Sequence, residues 1–503
     1  LRNAGLGSWP ERRRRMSPER PALWFDGGTT THEQFADRVR RVAGGLSRLG
    51  VRRDDRVAWF GANHPAALET LYACGQLGAI WVPVNARFTA SEARYVLEHS
   101  GASLVVHGKG HGAVAAQLRT TTTIPTWVAA EPDGTDSLPY EEILADPEAR
   151  DEPVTLDDPC LIMYTSGTTG RPKGAVLTHG NMTWACLNQI LGFDFAQDER
   201  TLALAPLFHI GGLNGTVNPT LLRGGSVVIV RAFDPASILA TIEEQRITSF
   251  FAVPTMLDAM ARDPGFTSRD LSSLRTVAAA GAPLPMHTLR TWLDRGLTVQ
   301  QAYGMTETAP AGTVLDSADA IAHVGSAGRP QFFTDVRVVR TDGTETAPDE
   351  IGEVVLQGPN VMAGYWREPE RSAEVLVDGW YHSGDAGSVD ADGFLTIRDR
   401  YRDMYISGGE NVYPAEVESA LRDLPSVAEA AVVGVADETW GEVGRAFVVL
   451  TDGADPDAAQ LRAALRERLA GFKVPRDFSF VPELPKTATG KIRKAELRED
   501  GHR

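Results

Sequence analysis

"DRVAWFGANHPAALETLYACGQLGAIWVPVN", residues 55–85, carries two kinds of pattern in one run. "DRVAWFG" is short and apolar and reads as a strand. "HPAALETLYACGQLGA" reads as a helix, and "IWVPVN" as a second strand. A strand that feeds a helix and then another strand is the unit of a mostly parallel sheet with helices on its faces. Just before it, "THEQFADRVRRVAGGLSRLG" (31–50) places Phe35, Val39, Val42, Leu46 and Leu49 at helical spacing. Thr31 with Gln34 predicts a capping box at its start, and Gly50 suits its end. The alternation returns in "GGSVVIV", "PASILATIEEQRIT", "SFFAVP" and "LRTVAAAG" (224–281), so the class expected is α/β.

From about residue 324 the sequence turns β-rich, with "DVRVVRTDGTET", "GEVVLQG" and "GFLTIRDR" separated by turn signals, which fits a barrel or a small sheet. After Arg400 comes an α+β pattern: helix "PAEVESALRDL", strands "EAAVVGVA" and "RAFVVL", helix "DAAQLRAALRERLAG". A domain boundary is expected near 400–403.

A chain of 503 residues suggests about three packed units at roughly 150 residues each. The apolar fraction of 43% is that of a folded globular protein, and no run approaches the ~18 apolar residues of a membrane span. A net charge of −16 argues against nucleic-acid binding, which needs a basic footprint, but leaves room for a nucleotide held by a few local cations. Arg12–Arg15 is followed by no apolar segment, so the run is expected to be a solvated helix end and the location cytoplasmic. Cys74, Cys160 and Cys186 are too scattered for a disulfide framework or zinc site.

The chemistry-bearing strings come next. "MYTSGTTGRPKGAV" (163–176) gathers hydroxyls, glycines and Lys173. Backbone N–H groups, hydroxyls and one ammonium suit a phosphate grip, though a flexible turn has the same composition. A Walker A loop is excluded, because Gly174 follows the lysine where Ser or Thr is required. "QAYGMTETAP" (301–310) joins Tyr303, Thr306 and Glu307: a ring to stack on a base, a hydroxyl for phosphate and a carboxylate for Mg²⁺, or else a core tyrosine and a surface acid. "YHSGDAG" sets Asp385 in a glycine turn suited to ribose hydroxyls. "RDRYRDMYISGGENVYPAEVE" (398–418) supplies Arg400, Arg402 and a glycine pair, and "PKTATGKIRK" (485–494) supplies Lys491.

Taken in order, these strings resemble the adenylate-forming superfamily of acyl-CoA synthetases, carrier-protein adenylation domains and firefly luciferase, over about residues 20–495. Within it the chain is most similar to fatty-acyl-CoA synthetases and related bacterial acyl-CoA ligases. The resemblance implies a large N-terminal domain, residues 1–400, of two α/β sheet subdomains plus a small β-barrel-like subdomain. A small mobile α+β C-terminal domain, 401–503, follows. It implies a reaction in which ATP and a carboxylic acid give an acyl-adenylate and pyrophosphate, after which CoA displaces AMP. The cofactors and partners implied are ATP, Mg²⁺, CoA and a small carboxylic acid or acyl-adenylate, in a monomer or homodimer.

By the same resemblance, Thr165, Ser166, Gly167, Thr168, Thr169 and Lys173 hold the leaving phosphates. Gly281, Ala282, Pro283, Gln301 and Tyr303 form the adenine slot, Thr306 touches the α-phosphate and Glu307 carries Mg²⁺. Asp385 and Arg400 match the ribose pair. Lys491 matches the lysine that meets the charge developing as one anion attacks another. His209 in "PLFHIGG" matches an aromatic position gating the acid from the thiol tunnel, with a core histidine as the other reading. Arg402 is the hinge about which the small domain turns, bringing in Ser407, Gly408, Gly409 and Glu410 as a tunnel wall. Trp440 matches a CoA contact, although a tryptophan between two strands also suits packing.

Departures from the family pattern are Arg402 at the hinge, its neighbour Tyr401, Tyr405 where an aliphatic residue is usual, and Ser383 where Thr is usual. They raise the expectation of an altered balance between half-reactions. The segments expected to line the acyl pocket, "HIGGLNG", "AAAGAP" and "QAYGMTE", contain no Lys or Arg, which favours a bulky apolar acid over a dicarboxylic one. Competing expectations are an enzyme performing mainly thioesterification of a preformed adenylate and one loading a carrier protein.

Overall fold

Strand Arg56–Phe60, helix Pro65–Leu77 and strand Ile80–Val84 form where the opening stretch places them, and the strands pair in parallel with Val57 opposite Trp81. The helix starts at His64, whose ring Nδ1 accepts from the Ala66 N–H at 3.1 Å, and stops at Gly78 in the left-handed region (φ +65°). Every residue from Ala66 to Leu77 is buried. That explains a helix apolar nearly all round, because it lies within the core. The computed structural model describes residues 3–144, 152–165, 172–282, 284–400, 403–407, 410–437, 440–469, 471–486 and 492–499.

An eight-stranded sheet grows outward from this unit. On one side lie Leu104–His107, Thr126–Ala129 and Leu138–Pro139; on the other lie Pro159–Thr165, Lys173–Thr178 and, at the edge, Gly364–Tyr365. Lys173–Thr178 runs antiparallel to both of its neighbours, so the alternating βα pattern gives way to antiparallel pairing at this edge. A nine-stranded sheet holds the second α/β set. Its parallel centre is Val299–Tyr303, Thr276–Ala279, Ser249–Ala252, Arg200–Ala203 and Ser226–Ile229.

Asn63 joins the two sheets near the carboxyl ends of their strands. Its amide donates to the carbonyls of Ala203 (3.1 Å) and Ala205 (3.0 Å) and accepts from the Leu207 N–H at 2.8 Å. Helix His32–Arg48 carries the expected capping box at Thr31 and Gln34, and Gly50 adopts φ +97°. One expectation needs correction. The run does end a helix, Trp9–Met16, but Arg13 is half-buried, since its guanidinium lies against the Leu222 carbonyl just before Gly224. A side chain at Gly224 would meet that guanidinium at 2.7 Å.

The chain groups into two compact units, Leu1–Val336 with Leu356–Tyr381, and Arg337–Val355 with His382–Arg503. It passes between them within strands Asp335–Val339, Gly352–Gln357 and Trp380–Val389. The β-rich stretch takes the small-sheet form, with Leu395–Arg400 paired to Trp380–Val389. After it, strands Tyr405–Ser407, Glu410–Val412, Val427–Asp437, Gly441–Leu450 and Asp477–Phe480 make one sheet. Helices Pro414–Arg422 and Ala458–Arg466 bury Val417, Leu421, Leu461 and Leu465 in a core with Val432 and Val448.

Candidate active site

Thr165 and Lys173 face each other as the last pair of the antiparallel ladder Pro159–Thr165/Lys173–Thr178, so the hydroxyl- and glycine-rich segment is the connection closing that hairpin. Ser166, Gly167, Thr168 and Thr169 lie outside the described residues. The Thr165 hydroxyl is buried and, among the described residues, has no hydrogen-bond partner, a state that a phosphate oxygen would satisfy. Gly174 has a packing reason: a Cβ there would approach Ile162 to 2.7 Å and the Tyr164 ring to 3.2 Å.

Lys173 Nζ forms an ion pair with Glu307 Oε1 at 3.2 Å, donates to the Tyr365 hydroxyl and lies 4.0 Å from the centre of the Tyr365 ring. The Tyr365 hydroxyl in turn donates to Glu307 Oε1 at 2.7 Å. Burial, reinforced by the Glu307 charge, pushes the Tyr365 hydroxyl up, so it remains a donor at neutral pH.

Glu307 lies on the single 3₁₀ turn Thr306–Thr308, and that turn is suspended from neighbouring amides. Asn360 donates to the carbonyls of Thr308 and Ala311, both at 2.9 Å, and Asn214 donates to that of Ala309 at 2.6 Å. The Met362 N–H donates to the Glu307 carbonyl at 2.8 Å. Among the described residues no cluster of three or more His, Cys, Asp or Glu side chains could hold a metal. One buried carboxylate with a fixed oxygen fits Mg²⁺, which commonly takes one or two protein carboxylates and completes its shell with phosphate and water.

Strands Thr276–Ala279 and Val299–Tyr303 are parallel neighbours, Ala279 opposite Gln301. Gly281 (φ +90°) and Ala282 follow the first, exposed, and Gln301 and Tyr303 end the second, half-buried. These four therefore lie at the carboxyl ends of parallel strands, where α/β sheets bind ligands. Pro283 lies outside the described residues. His209 opens the turn leading into the π-helical segment Gly211–Val217, its ring 4.7 Å from that of Phe208. Burial, with a smaller push from Arg87, lowers its pKa to about 4, so the ring is neutral at pH 7.

In the second unit Asp385 and Arg400 stand opposite each other on the Trp380–Val389/Leu395–Arg400 ladder. The Ser383 hydroxyl donates to the Val354 carbonyl at 2.5 Å and accepts from the Asp385 N–H at 3.0 Å. Glu353 accepts from the Gly384 N–H at 3.0 Å and lies 2.8 Å from His382 Nδ1. The departure from Thr thus keeps the hydroxyl that shapes the turn. Ser407 is buried and pairs with Glu410 and Gly441. Trp440 is 49% exposed in the turn between two strands, so it is not a core residue. Arg402, Gly408, Gly409 and Lys491 lie outside the described residues.

Sequence reading missed Tyr365, Asn360 and Asn214, which hold Glu307 and its turn. "AGYWREP" has an aromatic beside glycine but no spacing that points to a carboxylate, and buried asparagines carry no periodic signal. It also missed Arg87, an exposed cation whose charge reaches His209.

The model of the AMP-binding enzyme family matches residues 10–366, and that of the AMP-binding enzyme C-terminal domain matches 416–491. The chain is 51% identical over 499 residues to a feruloyl-CoA synthase from Amycolatopsis sp, covering 99% of each. It is 39% identical over 497 residues to an indoleacetate–CoA ligase from Aromatoleum aromaticum, covering 98% of each. Among solved structures, o-succinylbenzoate CoA synthetase from Bacillus subtilis in complex with its acyl-adenylate superposes with a TM-score of 0.87 at 32% identity, covering 98% of each chain.

Proposed function

The chain belongs to the AMP-binding enzyme family, and we propose that the acid it converts to a CoA thioester is a 3-arylpropenoic acid of the ferulate kind. The reaction is that of an acid:CoA ligase. The carboxylate displaces pyrophosphate from the α-phosphorus of ATP, giving the acyl-adenylate; the CoA thiol then displaces AMP, with loss of its proton. The observation that carries the choice of acid is the 51% identity, end to end, with a feruloyl-CoA synthase.

The residues take their parts from position and chemistry. Lys173 and the 165–169 hydroxyls hold the departing phosphates. Glu307 holds Mg²⁺, which when bound neutralises phosphate charge. Gly281, Ala282, Gln301 and Tyr303 receive the adenine, Thr306 the α-phosphate, and Asp385 with Arg400 the ribose. His209, uncharged at neutral pH, suits the edge of an apolar acyl pocket and a thiol path. Lys491 supplies the cation at the reacting phosphate, Arg402 is the hinge dividing 1–400 from 401–503, and exposed Trp440 offers a face to CoA. Among the described residues no helix is long and apolar enough to cross a membrane, and a cytoplasmic location follows from the ATP and CoA it consumes.

Thioesterification alone and carrier-protein loading are less well supported, because the chain retains both Lys173 and Glu307, the charged groups proposed for phosphate and Mg²⁺, and the relatives at 51% and 39% identity are CoA enzymes. The test is an acid panel of ferulate, indole-3-acetate, 2-succinylbenzoate and a long-chain fatty acid. Pyrophosphate exchange and CoA-thioester formation are followed separately. Ferulate is expected to lead in kcat/KM by about tenfold or more, the order expected for one well-fitted polar or ring contact. A fatty acid in first place refutes the proposal.

A further inference from the structure

We propose that Tyr365 is the positioning residue of the Glu307 carboxylate, aiming one of its oxygens at Mg²⁺ when Lys173 leaves for the phosphates. The inference rests on reading Glu307 as the Mg²⁺ carboxylate.

The backbone of Tyr365 is fixed before its side chain acts. Tyr365 pairs with Ala175 on the edge of the ladder that carries Lys173, and its N–H donates to the Ser372 hydroxyl at 2.7 Å. Ser372 is fastened in turn to the Glu368 carbonyl at 2.8 Å. The ring is 4% exposed. From that fixed place its hydroxyl, which also meets Tyr381, accepts from Lys173 and donates to Glu307, contacts of opposite sense.

Both partners engage the same carboxylate oxygen. Tyr365 lies 2.7 Å and Lys173 3.2 Å from Oε1. An oxygen held by two donors leaves the other, Oε2, as the lone-pair face for a cation. The two holders are not equivalent once nucleotide arrives. Lys173 is a mobile point charge that phosphate draws away, and a dication would repel it from Glu307. Tyr365 is neutral, buried and tied to the ladder, so its contact survives and keeps the carboxylate turned.

ATP binding to the full chain, measured calorimetrically in EDTA and then in Mg²⁺, tests this with Y365F, E307Q and the double variant. Y365F is expected to bind ATP in EDTA within about twofold of wild type, which also certifies its fold. The gain in affinity on adding Mg²⁺ should shrink by roughly one to two decades, the range for a hydrogen bond to a charged group. Added to E307Q, Y365F should change nothing further, because the pair acts through one carboxylate. Wild-type Mg²⁺ dependence in Y365F, or a full additive effect on top of E307Q, overturns the inference. Wild-type Mg²⁺ dependence in E307Q overturns the reading of Glu307 itself. Should Y365F lose ATP binding in EDTA, Y365Q, which keeps an N–H donor, takes its place under the same criteria.

Discussion

Replacing Gly444 by alanine probes the least expected packing in the second unit. Tyr405 is 1% exposed and its ring covers Gly434 and Gly444, which are direct partners across the Val427–Asp437/Gly441–Leu450 ladder. A Cβ on Gly444 would lie 2.3 Å from the Tyr405 hydroxyl oxygen and 3.1 Å from Cζ; one on Gly434 would lie 2.3 Å from the Tyr405 Cβ. The hydroxyl is buried and, among the described residues, has no hydrogen-bond partner. Gly444→Ala should therefore cost about 1–3 kcal/mol by overpacking. Tyr405→Phe removes both the atom it strikes and an unsatisfied buried polar group, and should by itself stabilise by about 1 kcal/mol. In the Phe background Gly444→Ala should cost less than about 1 kcal/mol, a coupling of about 1–2 kcal/mol. Hydrogen exchange of the amides in Val427–Asp437 and Gly441–Leu450 reads the local stability without requiring the whole chain to unfold as one. Equal costs in the two backgrounds would falsify the packing argument. Gly434→Ala should not be rescued, because its clash is with a Cβ that Phe retains.

Three further outcomes are expected. Lys491→Ala should lower pyrophosphate exchange by about 10²- to 10³-fold, while thioester formation from supplied acyl-adenylate stays near wild type; equal losses in both assays would remove the lysine from the adenylation step. Ser383→Ala should raise KM for ATP by roughly tenfold through loss of the bonds that shape the Asp385 turn, whereas Ser383→Thr should be silent in the same assay. His179 is fully buried, its Nδ1 accepts from the Leu6 N–H at 3.2 Å, and burial lowers its pKa from 6.5 to about 4. As pH falls below 6.5 the unfolded chain takes up this proton first, so stability drops until about pH 4 and then levels. The loss is about 3 kcal/mol at most, and His179→Asn should flatten that acid limb in pH-dependent thermal unfolding.

The α/β class was legible because the helix and strand periods act over short segments. Val39, Val42 and Leu46 had one face to bury, and Thr31 and Gln34 could satisfy the first N–H groups wherever the helix was placed. The strings that carry Lys173 and Glu307 stand out in the sequence for a different reason: glycine, hydroxyl and charge are unusual together in so few residues. What holds Glu307 was not legible. Tyr365 and Asn360 lie more than 50 residues along the chain from the Thr306–Thr308 turn and reach it only after the sheets assemble. The Arg12–Arg15 run ends a helix with Arg12 and Arg15 exposed as expected, and Arg13 departs for a similar reason, since the carbonyl that captures it is that of Leu222.

Of the four departures named beside the hinge and ribose turn, Tyr401 and Arg402 lie outside the described residues, and the other two separate into different kinds. Ser383 retains the chemical feature that matters, a hydroxyl placed between the Val354 carbonyl and the Asp385 N–H, and the methyl of threonine has no part in either bond. Tyr405 is compensated elsewhere, because two facing glycines leave the space its ring fills. An aliphatic residue at 405 would leave that glycine pair uncovered, so Tyr405, Gly434 and Gly444 behave as one unit whose exchange must be concerted. Tyr405 begins the strand that carries Ser407, so its buried ring fastens that strand to the core of the second unit. We therefore propose Arg402, with its neighbour Tyr401, as the departures that bear on the balance between the two half-reactions. Arg402→Asp or Arg402→Lys should shift the ratio of the two half-reactions, whereas Ser383→Thr should leave it unchanged; separate exchange and thioesterification rates measure both.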